Sequence, residues 1–121
     1  MRIVLDTNGY SAAGRGESKA VHLLKTAEEI FLPFVVLAEL RAGFLVGNQG
    51  RMNEGKLTEF LLSKRVHVLF PDEQTTHHYA RIFRDLRVQG TPIPTNDLWI
   101  AALCLQHTFL LVSSDKHFSG I

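Results

Sequence analysis

Ile3-Val4-Leu5-Asp6-Thr7-Asn8 is the stretch on which the reading of the fold turns. Three consecutive apolar residues without polar alternation predict a short strand covered on both faces, as in a parallel sheet. Asp6 ends that run and sets a carboxylate where strand gives way to turn. Beyond it, Gly9, Gly14 and Gly16 predict a flexible loop, with Ser18 capping the next helix. That helix would turn Ala20, Val21, Leu24 and Ala27 inward and extend its stripe to Ile30. Residues 30–34 read as a second strand with Pro33 at its end. Residues 35–46 read as a helix stopped by Gly47, apolar nearly all round and so either deeply buried or shared with a partner.

A turn at 47–50 leads to an amphipathic helix within 51–65, whose stripe is Leu57, Phe60 and Leu61. Residues 66–70 predict a strand. Residues 73–89 predict a helix with Tyr79, Ile82, Phe83 and Leu86 inward, stopped by Gly90. Pro92 and Pro94 stiffen the approach to a helix starting near Asp97, and 109–112 is a last strand. Strands alternating with helices define an α/β fold, one domain over residues 1–121 with a mainly parallel central sheet flanked by helices. Ligand sites in such sheets lie outside the carboxyl ends of the strands. Asp6 and Asp115 fall at or just past such ends.

Composition bounds the chemistry. The chain has 121 residues, 45% apolar and 21% charged, as in an ordinary soluble globular domain. A net charge of +1 means that any nucleic-acid footprint must be local. The single Cys104 excludes an internal disulfide, and its apolar helical setting predicts a buried core thiol. Only three apolar residues separate Arg2 from Asp6, too few for a signal peptide, and no window approaches a membrane span. The expected location is the cytoplasm.

Four acids, Asp6, Glu39, Asp97 and Asp115, stand at the ends or on the faces of apolar elements. Inward folding of those elements would draw them together. At about 5 Å and an effective dielectric near 20, each pair repels by roughly 3 kcal/mol, and six pairs approach ~20 kcal/mol. A small domain has a net stability of only about 5–15 kcal/mol. Convergence therefore requires a divalent cation or partial protonation. Oxygen-only ligands favour Mg²⁺ or Mn²⁺ over zinc, and such ions suit phosphodiester cleavage by an activated water. Singly, the acids have plainer readings: Asp6 as a helix N-cap, Asp97 as a first-turn acid facing the helix dipole, Asp115 as a loop charge. Glu39 is harder to explain so, because it aligns at helical spacing with Val35, Ala42, Gly43 and Val46.

Leu5-Asp6-Thr7-Asn8, a helical Glu39, Pro92-Ile93-Pro94-Thr95-Asn96-Asp97-Leu98-Trp99-Ile100-Ala101-Ala102 and Leu111-Val112-Ser113-Ser114-Asp115-Lys116-His117-Phe118 together resemble a PIN domain. Within that family they look most like VapC toxins of type II toxin–antitoxin systems. The match runs in order over essentially the whole chain, and its specific parts are the proline-flanked N-D-L-W-I-A-A segment and the downstream S-S-D-x-H-F. The resemblance implies a Mg²⁺- or Mn²⁺-dependent endoribonuclease. Asp6 and Asp97 would be its principal metal ligands, with Glu39 and Asp115 completing the pocket directly or through water. Thr7, Asn8, Asn96 and Ser113 match positions that orient ligands and water. A homodimer and a VapB-type antitoxin are implied too, with an antitoxin segment over the groove. One departure is that the sequence given stops at Gly120-Ile121, where family members usually continue into a Pro-Gly-Leu turn and a final strand.

Other residues have blander readings. Arg15 and Lys19 are solvated charges or RNA contacts. Arg41 points away from Glu39 and reads as a surface or partner contact. His77-His78 are adjacent on a helix and diverge, which disfavours chelation. His117 is a candidate for the pocket rim, and Trp99 reads as packing. Phosphoryl transfer through an aspartyl phosphate is a second enzyme reading, but the acid expected two positions after Asp6 is Asn8. A PIN-like RNA-processing nuclease outside a toxin–antitoxin pair and a non-catalytic PIN-like binding module are further alternatives. Nothing in the sequence names the RNA.

Overall fold

A computed structural model describes residues 1–113. The element order is β1 (Arg2–Leu5), α1 (Thr7–Gly14), α2 (Ser18–Thr26), β2 (Glu29–Pro33), α3 (Phe34–Val46), α4 (Gly50–Leu61), β3 (Val66–Leu69), α5 (Glu73–Gln89), α6 (Thr95–His107) and β4 (Leu110–Val112). The strands form one sheet in the order β3-β2-β1-β4, every pairing parallel. β1 is central, and Ile3, Val4 and Leu5 are almost wholly buried, as an all-apolar strand between two helical layers requires. Because all strands run one way, their carboxyl ends share one edge. The register Leu5↔Val112 makes Asp6 and Ser113 neighbours there.

The main core joins this sheet to α3, α4 and α6 through Val36, Leu40, Leu57, Ile100 and Leu103. A second cluster, Ile82, Leu86, Leu98, Ala101 and Ala102, packs α5 against α6. α6 is thus buried on two sides, which explains its unbroken run of buried residues from Ile100 to Cys104. Trp99 packs as expected, its ring 4.4 Å from that of Tyr79. Cys104 is a buried thiol, also as expected.

Several local expectations are corrected. The segment with Gly9 and Gly14 is helix α1, because the Asp6 side chain caps it directly after β1. The true turn is at Gly16, where φ is +79°. Ser18 opens α2 rather than capping it, the N-cap being Glu17. Ile30 belongs to β2, and α6 begins at Thr95 behind Pro94. Phe83 is exposed rather than inward. α3 is buried only in its first half: Val35, Val36 and Leu40 are covered, whereas Leu45 and Val46 are 87% and 88% exposed. Its 13 residues extend about 20 Å, beyond the reach of strands of three to five residues. Arg41 makes its contact within the chain, donating to Glu54 of α4 at 3.0 and 3.3 Å.

Candidate metal and nucleic-acid site

Asp6 follows β1 and is 4% exposed. Its Oδ1 accepts from the Gly9 backbone N–H at 2.7 Å, and its Oδ2 accepts from the Ser113 hydroxyl at the end of β4. The N-cap reading was therefore right, and it is compatible with a site role. The same carboxylate starts α1 and ties together two adjacent strand ends. Gly9 makes the arrangement possible, because a Cβ there would collide with the Val112 carbonyl oxygen. That close approach brings α1 onto β4.

Thr7, first in α1, donates from Oγ1 to Glu39 Oε1 at 2.7 Å. This bond ties α3 to the first residue of α1, the residue that follows Asp6. Glu39 is exposed, as are Ala42, Gly43 and Val46 on its helical face, so the inference that it must lie on a buried apolar face is overturned. It is held by a hydroxyl at the surface.

Asp97 is half-buried in the first turn of α6 and has Pro94 as the N-cap, so its charge faces the helix dipole. It shares a helical face with Cys104, about 10 Å further along the axis. The Cys104 thiol is pushed up to about 12, mainly by burial and further by the negative charge of Asp6. Asn96 is half-buried beside Asp97, and Asn8 lines a groove of about 300 Å³ with Lys19, Leu110 and Ser113. Arg15 stays at the surface, 4.0 Å from Glu17. Asp115, His117 and the expectation about the terminal strand lie outside the described residues.

Among the described residues, no three His, Cys, Asp or Glu side chains stand together as a ready metal cage. The donor chemistry nevertheless fits a hard cation. Asp6, Glu39 and Asp97 offer carboxylate oxygens, with Thr7 and Ser113 hydroxyls beside them. Mg²⁺ commonly keeps several waters and needs only one or two carboxylates, so an open set suits it better than a closed one.

The PIN domain family model matches residues 3–121. This chain belongs to the PIN domain family. Ribonuclease VapC1 of Haemophilus influenzae is 35% identical to it, the alignment covering all of this chain and 92% of that protein. The plasmid stability protein StbB of Pseudomonas syringae is 32% identical over 93% of this chain and 87% of its own. Among solved structures, VapBC2 of Rickettsia felis bound to a promoter DNA fragment superposes with a TM-score of 0.85 at 26% identity. It covers 96% of this chain and 89% of the other. VapBC-1 of nontypeable Haemophilus influenzae superposes with a TM-score of 0.82 at 29% identity, over 99% and 92% of the two chains.

Two parts of this PIN domain's site escaped the sequence reading. Gly9 was taken for a loop glycine, although a glycine three residues after a capping Asp is a signal of close approach. Tyr10 was not singled out. Its ring meets Phe60 edge-on at 5.5 Å, joining α1 to α4, and burial followed by the charge of Glu54 raises its pKa. No described helix is long and apolar enough to cross a membrane.

Proposed function

We propose that this PIN domain is the toxin of a VapBC-type toxin–antitoxin pair: an endoribonuclease that cleaves RNA phosphodiesters with Mg²⁺ or Mn²⁺, works as a homodimer in the cytoplasm and is restrained by a VapB-type antitoxin. Full-length similarity to Ribonuclease VapC1 and to VapBC structures supports the reading. The observation that carries it is Asp6, a nearly buried carboxylate clamped at the carboxyl edge by Gly9 and Ser113, with Glu39 bonded to the adjoining Thr7.

Asp6 and Asp97 would hold the ion, and Glu39 and Asp115 would complete its surroundings directly or through water. When bound, the ion supplies an activated water and a counter-charge for the leaving oxygen. The chain's own part is orientation. Ser113 and Gly9 fix both oxygens of Asp6, Thr7 fixes Glu39, and Asn8 and Asn96 offer amide groups to water or ribose. The test is RNA cleavage by the purified chain. EDTA should abolish it, addition of Mg²⁺ or Mn²⁺ should restore it, and Asp97→Ala should lower it by several hundredfold or more. Cleavage that survives both treatments would sink the assignment.

A further inference from the structure

Phe83 is 46% exposed on α5, although its spacing suits the buried stripe of that helix. It lines a groove of about 150 Å³ with Leu86, Arg87, Pro92, Ile93 and Leu98. Arg87 lies four residues on from Phe83 and so on the same helical face. Leu98 directly follows Asp97, which puts this groove beside the acid-bearing turn of α6. Arg2, Arg41 and Arg84 pair with carboxylates, and Arg65 donates to the Leu24 and Ala27 carbonyls. The Arg87 guanidinium has no hydrogen-bond or ion-pair partner among the described residues. Arg84, one turn back, is paired with Asp85, and Arg81, nearly two turns back, is a further exposed cation of α5.

We infer that this groove is a nucleotide subsite for the RNA strand: an unpaired base stacks on Phe83, and Arg87 takes the adjoining phosphate. The inference rests on the ribonuclease reading and names how that site holds its substrate. Each nucleotide of a single strand presents a flat π-face and a negative charge a short distance apart. The groove presents an exposed aromatic ring, apolar walls and a guanidinium four residues further along the same helical face. A second copy of this chain would cover the ring but would also desolvate Arg87, which is costly unless that copy brings a carboxylate.

The test is binding of a fluorescein-labelled, random-sequence single-stranded oligoribonucleotide, followed by anisotropy across a salt series. The chain carries Asp97→Asn so that the probe stays intact. Phe83→Ala should weaken binding about 5- to 150-fold, the range for loss of one base stack, and Phe83→Tyr should restore it. Arg87→Gln should reduce the slope of log affinity against log salt by about 0.7. Phe70→Ala, at an exposed aromatic just past β3, should leave affinity unchanged. The subsite is refuted if Phe83→Ala binds the probe as tightly as its parent. It is equally refuted if Phe83→Ala changes only the sedimentation mass, which would assign the groove to self-association. A chain with Asp97 intact that neither binds nor cuts RNA removes the ribonuclease reading itself.

Discussion

Asp6 has two duties that a single substitution can separate. As N-cap it satisfies the Gly9 N–H, a contribution of about 1 kcal/mol that Asn also provides and Ala does not. As a proposed ligand it needs its negative charge. Asp6→Asn is therefore expected to keep the melting temperature near that of the parent while losing RNA cleavage, and Asp6→Ala to lose both. Equal activity in the Asn variant would show that the charge is not used. Gly9 is the complementary case. Its constraint is the Val112 carbonyl, a backbone atom that cannot rotate away. Gly9→Ala should cost about 1–3 kcal/mol through overpacking, measurable by urea unfolding, and should move Ser113 off Asp6. An Ala variant as stable as the parent would mean that β4 yields freely.

Among the elements, α5 was the most legible: its residues 73–89 and its stop at Gly90, where φ is +76°, follow from periodicity and a C-terminal glycine. Its start depends on tertiary contact as well. Asp72 caps Thr75 at 3.2 Å and accepts from Gln106 of α6 at 2.9 Å, while Thr75 donates to the Gln106 side-chain oxygen. The Gln106 bond, followed by the Thr75 backbone bond, holds the Asp72 carboxyl below its usual 3.8. A lowered folded-state pKa stabilises the protein above the unfolded value, and that contribution fades as pH falls through the folded value. Asp72→Asn keeps a capping oxygen but cannot titrate. Its melting temperature should fall less than the parent's as pH drops below 3.8, and parallel curves would show that Asp72 does not contribute to the acid limb. By contrast, α1 was misread, because three glycines outweighed the cap at Asp6 in a reading limited to neighbours in sequence. The burial of α3 was overestimated for a related reason: apolar composition says nothing of how long the opposing strands are.

For the molecule as a whole, the parallel sheet has one carboxyl edge, and the acids of the proposed site come to it by different routes. Asp6 arrives on a strand end and Asp97 on a helix start, both signalled by a break in an apolar pattern. Glu39 arrives mid-helix by a hydroxyl contact from Thr7, which no spacing rule encodes. The proposed homodimer makes a simple prediction at this scale. Light scattering of the isolated chain should give about twice 13.6 kDa, and co-expression with a VapB-type protein should give a larger complex lacking RNA cleavage. A monomer at all concentrations would overturn the dimer, and unimpaired cleavage in the complex would overturn the inhibitory pairing.

By itself the sequence determined the parallel α/β architecture, the family, and the identity of the acids at element ends. The architecture and the acids follow from local periodicity and from the cost of placing charge inside an apolar run, and the family follows from the matched motifs around Asp6, Asp97 and Asp115. Only the tertiary structure decided that Asp6 is shared between α1 and β4, that Glu39 is an exposed acid tethered by Thr7, and that Phe83 faces outward beside Arg87. These depend on contacts between residues far apart in the chain, where a shared hydrogen bond or a missing Cβ sets the geometry.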